Sequence, residues 1–303
     1  MSDISPLRKK YRRLKESFYN WRVSQRLSLP DKGSKIVIFY PQMPRERHVL
    51  GRLFKILGFK ITNDLSQAKN AAALVFWEDK TYAGAHPEIY KLSEERSVIN
   101  INCQDISKKH VDAVFGKVFG YKTIIDPAIF KGKCVKKGDV NAVHDGTIVE
   151  CPIGNPEPGF IYQKLINNNV NDQFVEDIRV PVFGDEIPFV YVKHRPIGTR
   201  FGSINNSVVV AETKEIFNEQ EIKNIITHCN MMGLDYGELD VLRDREDGRI
   251  YIVDVNNTPG GPPNKLSVPD QLKVLERLSK TCFQNFIQEK EAKRGGKLAG
   301  KAA

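Results

Sequence analysis

The sequence is poor in cysteine and in long apolar runs. Its five cysteines are scattered and include no CxxC pair, which argues against a disulfide framework and against a structural zinc site. No run of about 18 apolar residues occurs, so no membrane-spanning helix is predicted. The N-terminus is charged from Arg8 onward and lacks an apolar signal core, so we expect no secretion. These absences together predict a cytoplasmic protein.

The positive charge is concentrated at the two ends of the chain. The net charge of the 303 residues is +9, and residues 8–26 contain eight basic residues against one acidic residue, Glu16. Residues 291–303 are basic and rich in glycine and alanine, which predicts a disordered tail. A basic chain can indicate nucleic-acid binding. The middle of this chain is nearly balanced, so we do not expect nucleic acid as a partner.

An amphipathic helix is predicted over residues 5–27, inside a basic extension of residues 1–34. Apolar residues recur at steps of four and three and would share one helix face: Leu7, Tyr11, Leu14, Phe18 and Trp21. One interpretation is that this helix packs on the rest of the protein and shows its charges to water. Another is that it lies on an anionic membrane surface or a partner protein, because Lys and Arg dominate the polar face. Contact with nucleic acid is a third. The second interpretation would make the protein peripheral to a membrane.

Residues 35–108 have the pattern of a small parallel α/β domain. Short apolar runs predict three buried strands, at residues 35–40, 71–77 and 97–102. Helical spacing at residues 48–57 ends at Gly58, a typical helix stop. Strands that alternate with helices favour a parallel sheet.

After a helical stripe that begins near His110, the pattern changes to strand-like runs separated by turn residues. These runs lie at residues 132–137, 147–151, 160–166, 175–183 and 188–194. A long helix is predicted at residues 218–232 and a final helix at residues 269–287. Between them, residues 239–243 and 249–255 are predicted to pair as two strands joined by a turn.

Carboxylates interrupt the apolar pattern in both strands of this hairpin. Asp240 lies in the first strand, while Asp254 and Asn256 lie two residues apart in the second and therefore share a face. Pairing would bring Asp240 beside them, and oxygen ligands of this kind suit Mg²⁺. The alternative is an ordinary edge residue followed by a turn. Acidic residues are unfavourable in strands, so we favour the metal site.

The order of these motifs resembles the ATP-grasp superfamily of carboxylate–amine and carboxylate–thiol ligases. A strand with lysines, a hinge strand, an Asp-Ile-Arg strand, a helix, an Asp strand and an Asp-x-Asn strand followed by Pro-Gly occur in that order over residues 117–264. The resemblance implies an α/β protein. Its small parallel domain, residues 35–108, would precede an ATP-grasp core of α+β type, residues 109–290.

The resemblance implies which residues bind ATP. Lys136 or Lys137 would reach the α- or β-phosphate, and Lys117 is a further candidate for a nucleotide lysine. The hinge strand would hold the adenine through its backbone, at Gln163, Lys164 and Leu165. The plainer interpretation of the adjacent lysines is a solvated strand end.

The resemblance also implies which residues bind magnesium and substrate. One or two Mg²⁺ ions would be held by Asp240, Asp254 and Asn256, although the superfamily usually has Glu in place of Asp254. Arg179 would face the phosphates or the acyl-phosphate, or else form a mere surface pair with Asp177. Arg195 is a further candidate for phosphate or substrate binding. The loop with Gly260 and Gly261 would line the substrate site, where glycine lets backbone amides approach an anion.

The activity implied is ATP- and Mg²⁺-dependent ligation, in which a carboxylate is activated as an acyl-phosphate and joined to an amine. The substrate would be a small molecule, a peptide, an amino acid, or an acidic sugar or other glycan. Two alternatives are a kinase that stops after phosphoryl transfer and a non-catalytic nucleotide-binding or scaffold protein.

Overall fold

The computed structural model describes residues 6–27, 35–141, 143, 145–202, 204–263 and 265–288. The predicted basic tail, residues 291–303, therefore lies outside the described residues. None of the helices in these ranges is long and apolar enough to cross a membrane.

The first helix, α1 (Pro6–Ser24), lies within the predicted residues 5–27. It packs on the body of the protein through Tyr19 and Val23, which are 6% and 0% exposed. Three residues of the predicted stripe point away from the body: Leu14, Phe18 and Trp21 are 63%, 51% and 58% exposed. The helix therefore packs on the protein, as one interpretation predicted, but through a second, narrower apolar face rather than through the predicted stripe.

A four-stranded parallel sheet follows, with strand order β2-β1-β3-β4, and confirms the predicted α/β arrangement. Its strands are β1 (Ile36–Pro41), β2 (Lys60–Thr62), β3 (Ala73–Trp77) and β4 (Val98–Ile99). The elements around it are α2 (Val49–Ile56), a 3-10 helix (Leu65–Asn70) and α3 (Pro87–Glu95). The strand predicted at residues 97–102 is shorter than expected, since only the two residues of β4 pair in the sheet.

Helix α4 (Lys108–Phe119) leads into a small antiparallel sheet with strand order β6-β5-β7. Its strands are β5 (Gly132–Gly138), β6 (Thr147–Cys151) and β7 (Phe160–Lys164).

A five-stranded antiparallel sheet follows, with strand order β10-β9-β8-β11-β12. Its strands are β8 (Phe174–Phe183), β9 (Val190–Pro196), β10 (Ser207–Ala211), β11 (Tyr236–Arg243) and β12 (Ile250–Asn256). The remaining helices are α5 (Thr213–Ile216), α6 (Glu219–Met231) and α7 (Val268–Phe283), and α7 continues as a π-helix (Gln284–Gln288).

The two faces of the five-stranded sheet differ because side chains alternate along each strand. One face is apolar and packs on α4 and α6, with Ile178, Val180, Val182, Leu239 and Val241 buried in a single cluster. On the other face, Phe183 and Tyr236 enter a core shared with α2 and α7. The predicted units 35–108 and 109–290 thus share one hydrophobic core, and their division into domains stays a prediction. Beyond these aromatic residues, the second face carries charged side chains.

Candidate active site

The hairpin of β11 and β12 brings the predicted oxygen ligands together. Asp240 lies opposite Asp254 in the ladder, and Glu238 lies opposite Asn256. A Cβ atom at Gly237 would lie 2.7 Å from the Asn256 carbonyl oxygen, so glycine is needed for the strands to approach this closely. The sequence-based pairing of these strands is thereby confirmed.

Asp240 is already surrounded by protein cations. Arg179 donates to both carboxylate oxygens, from Nε and Nη2, at 3.1 Å each, and Lys193 Nζ donates to Oδ1 at 2.8 Å. Burial alone would raise the pKa of Asp240, but the attraction of Arg179 and Lys193 outweighs it and holds that pKa well below its usual range. The repulsion between the two carboxylates is therefore partly relieved without a metal ion.

Asp254 has a different environment, although it is the cross-strand neighbour of Asp240. Its Oδ1 atom is buried and has no hydrogen-bond partner, while the side chain as a whole is 33% exposed. The nearest ion-pair partner is Lys108, whose Nζ atom lies 4.0 Å from Oδ1. Burial raises the pKa of Asp254. A buried carboxylate oxygen without a partner is costly, and a bound cation would remove that cost.

The third predicted ligand, Asn256, caps the turn that follows β12. Its Oδ1 atom accepts a hydrogen bond from the Thr258 backbone N–H at 2.9 Å, which fixes the side-chain orientation. In the described part of the chain, no group of three or more His, Cys, Asp or Glu side chains could hold a metal ion. The donor set here is oxygen only and includes the unpartnered Asp254 oxygen, so it fits Mg²⁺, which completes its shell with water and phosphate oxygens.

Strand β5 separates its two adjacent lysines onto opposite faces. Lys137 Nζ donates to the Val253 carbonyl oxygen at 3.3 Å, next to Asp254, and its burial lowers its pKa to about 8. Lys136 forms an ion pair with Glu157, and its Nζ atom lies 4.3 Å from the centroid of the Phe160 ring. Of the two alternatives, the geometry therefore favours Lys137 for contact with phosphate.

The predicted adenine strand is held on its outer edge by the segment before β5. The Lys164 N–H donates to the Thr123 carbonyl at 2.8 Å, and the Gln163 side chain donates to the Thr123 hydroxyl at 2.7 Å. The Lys164 ammonium is paired with Asp244 at 2.7 Å. Leu165 is half-buried and follows directly after the end of the strand. These contacts fix the strand, and one of them occupies a backbone group of the predicted adenine strand, the Lys164 N–H.

Two further predicted residues lie away from the carboxylates. Arg195 pairs with the buried Asp177 at 3.0 Å and donates to the Asn205 side chain at 3.0 Å, so it does not contact Asp240. Lys117 lies exposed in the last turn of α4. The structure brings together the hairpin ligands, Arg179 and Lys137, and leaves these two outside the group.

The predicted substrate loop is attached to the beginning of α2. Gly260 forms an isolated antiparallel bridge with His48, and the Gly261 N–H donates to the Arg47 carbonyl at 3.1 Å. The Gly261 amide is therefore engaged by the segment before α2 rather than directed at an anion. Gly261 has a φ of 139°, a conformation that favours glycine.

Three residues of the site were not predicted from the sequence: Lys193, Glu238 and Lys108. Lys193 is 1% exposed and lies two residues before Arg195 in β9, on the same strand face. Glu238 lies two residues before Asp240 in β11, 3.5 Å from Arg179, and burial raises its pKa to about 7. The period-2 alternation that located Asp254 and Asn256 would also have located Lys193 and Glu238.

Comparison with solved structures shows that this chain has the ATP-grasp fold. The ATP-grasp ligase PsnB complexed with minimal precursor has a TM-score of 0.52 at 13% identity, over 80% of this chain and 98% of that chain. D-alanine–D-alanine ligase from Bacillus anthracis complexed with ATP has a TM-score of 0.53 at 14% identity, over 85% and 99%.

A second PsnB structure, complexed with minimal precursor, Mg and ADP, gives a TM-score of 0.52 at 13% identity, over 82% of this chain and 100% of that chain. No family model matches the sequence, and no curated protein matches it. At these identities the likeness establishes the fold of the chain.

Proposed function

We propose that this chain is an ATP- and magnesium-dependent ligase that activates a substrate carboxylate and joins it to an amine. The observation that carries the proposal is the charged face of β8, β9 and β11, where Arg179 and Lys193 converge on Asp240 beside an unpartnered Asp254 oxygen. Preorganised cations in a buried site stabilise charge that develops during group transfer. The structural neighbours are ATP-grasp ligases, which supports the same activity.

In this proposal, Asp240, Asp254 and Asn256 would hold magnesium, which would neutralise phosphate charge when bound. A carboxylate oxygen of the substrate attacks the γ-phosphorus of ATP, and ADP leaves. The amine then attacks the carbonyl carbon, inorganic phosphate leaves, and the amine loses a proton to give the amide. Arg179 and Lys137 stabilise the negative charge on the transferring group. No nucleophilic side chain is required.

We further propose an acidic substrate, such as a peptide, an amino acid or an acidic sugar. Two exposed arginines, Arg45 and Arg47, lie beside the substrate loop, and both have a guanidinium nitrogen 4.0 Å from Asp79. Asp79 in turn accepts a hydrogen bond from Thr258 of that loop at 3.2 Å. Guanidinium groups suit paired recognition of carboxylates.

The test is ADP release by the full chain with ATP, Mg²⁺ and panels of carboxylates and amines, with products identified by mass spectrometry. We expect ADP only when a carboxylate and an amine are both present. A substrate carboxylate labelled with ¹⁸O should transfer one labelled oxygen to the released phosphate. A stable phosphorylated product formed without an amine would instead identify a kinase.

The matched variants are Asp254→Asn and Asp172→Asn, the latter in an exposed loop. We expect Asp254→Asn to lower turnover by about 10²–10³-fold, as for loss of one preorganised electrostatic group, and Asp172→Asn to leave it unchanged. Equal turnover in both variants would contradict the metal assignment. Nucleotide binding without any turnover on the panels would favour a scaffold protein.

A further inference from the structure

Helix α1 presents an apolar stripe that has no partner within the described residues. Leu14, Phe18 and Trp21 are 63%, 51% and 58% exposed, and the Phe18 and Trp21 ring centroids lie 6.0 Å apart. Upstream in the sequence, Leu7 and Tyr11 continue the same spacing. An exposed contiguous apolar surface of this kind marks a site of interaction with another molecule.

The stripe is held in a fixed orientation by the opposite side of the helix. Tyr19 and Val23 enter the core that contains α2 and α7. The Arg52 Nε atom of α2 donates to the Asn20 side chain at 2.7 Å. Since the helix is anchored in this way, the exposure of the stripe is not the result of an unattached helix.

The charges around the stripe select the kind of partner. Lys15, Arg22 and Arg26 are exposed, and the Arg22 guanidinium lies 5.8 Å from the Phe18 ring centroid. Residues 8–26 hold eight basic residues and one acidic residue. Aromatic and leucine side chains flanked by Lys and Arg are typical of helices that lie in the interface of anionic membranes. A stable protein interface usually needs about 20–30 residues a side, more than one short stripe offers.

We propose that α1 docks this protein on the surface of an anionic lipid bilayer. Leu14, Phe18 and Trp21 enter the region between headgroups and acyl chains, and the flanking lysine and arginine side chains pair with lipid phosphates.

The two tryptophans of the chain make a direct test, because Trp21 is exposed and Trp77 is 1% exposed. The full chain is mixed with vesicles containing about a third phosphatidylglycerol, or with neutral phosphatidylcholine vesicles. With anionic vesicles we expect a blue shift and quenching by brominated acyl chains. Both effects should be absent in Trp21→Phe, which keeps the stripe apolar and still co-sediments.

The binding test compares two sets of exposed apolar residues. The triple variant Leu14→Ser, Phe18→Ser, Trp21→Ser should co-sediment with anionic vesicles more than about tenfold less than the unmodified chain, because it loses the inserted apolar surface. Ile129→Ser removes a side chain that is 77% exposed elsewhere and should change binding less than about twofold. Binding should weaken as salt is raised.

Several results would overturn the proposal: no binding to anionic vesicles, equal binding to neutral vesicles, or an unimpaired triple variant. Concentration-dependent dimerisation that disappears in the triple variant, without vesicle binding, would instead assign the stripe to a second copy of the chain. Turnover in solution should be the same in the triple variant, so this test is independent of the proposed ligase activity.

Discussion

Asp240 and Asp254 face each other across one hairpin, yet their surroundings are opposite. Asp240 accepts three hydrogen bonds from two cations, and its pKa is held well below its usual range against the effect of burial. Asp254 retains a buried oxygen without a hydrogen-bond partner, and burial raises its pKa. Identical side chains thus have different surroundings because the neighbouring strands supply different partners.

The two carboxylates differ in how far the protein itself supplies their counter-charges. At Asp240 the protein itself supplies the counter-charges, from Arg179 on β8 and Lys193 on β9. At Asp254 the counter-charge is incomplete, with the Lys108 ammonium at 4.0 Å. We propose that Asp240 meets the bound cation with its charge already partly balanced by Arg179 and Lys193, whereas Asp254 depends on that cation for its missing partner.

The largest expected effect is on stability in Asp240→Asn. Removing this carboxylate leaves the buried Lys193 and the half-buried Arg179 without their shared partner, which should lower the free energy of unfolding by about 3–5 kcal/mol. Asp254→Asn removes a poorly paired charge and should change it by less than about 1 kcal/mol. Urea denaturation of both variants measures the difference, and equal losses would show that the two carboxylates are not distinct.

The second effect is a pH dependence caused by Glu238. Burial raises its pKa from 4.5 to about 7, against the attraction of Arg179. The folded state therefore binds this proton more tightly than the unfolded state does. The stability that this proton contributes is about 3 kcal/mol. It is fully present below about pH 4.5 and is lost as the pH rises through about 7.

Glu238→Gln should remove this contribution, because glutamine does not titrate. The measurement is the free energy of unfolding of both proteins between pH 5 and pH 8, the range in which Glu238 titrates. Between pH 5 and pH 8, the difference in free energy of unfolding between the unmodified protein and Glu238→Gln should change by most of the contribution of about 3 kcal/mol. Parallel curves would mean that Glu238 is ionised in the folded state throughout, and that the charged face is more polar than its burial indicates.

Period-2 alternation predicted the hairpin and its ligands, because two strands joined by a short turn leave few choices of partner. The same argument did not predict which cations face Asp240, since those come from β8 and β9, which are distant in the sequence. Arg195 was the residue chosen from its strand, but Lys193 makes the contact. Sequence alternation identifies a strand face but not the register between strands.

The sequence analysis also did not predict several elements that bury few residues. Strand β2 (Lys60–Thr62) has three residues, α3 (Pro87–Glu95) buries only Ile89, and β10 (Ser207–Ala211) lies at a sheet edge. In α1, periodicity located the helix and its wide apolar face, while tertiary packing used Tyr19 and Val23 instead. A stripe shows that a helix is amphipathic, and only the surrounding fold shows which face is covered.

The smallest expected effect concerns the adjacent lysines of β5 and extends the comparison to the nucleotide. Lys137 lies beside Asp254, the incomplete side of the charged face, whereas Lys136 is already paired with Glu157. Lys137→Met should weaken ATP binding by about tenfold, because one contact to a charged group is lost. Lys136→Met should weaken it less than about twofold, because Lys136 lies on the opposite face of β5 and pairs with Glu157. Calorimetric titration with a non-hydrolysable ATP analogue measures both. A larger loss in Lys136→Met would place the phosphates on the opposite face of β5, away from Asp254, and would remove the link between the carboxylates and the nucleotide.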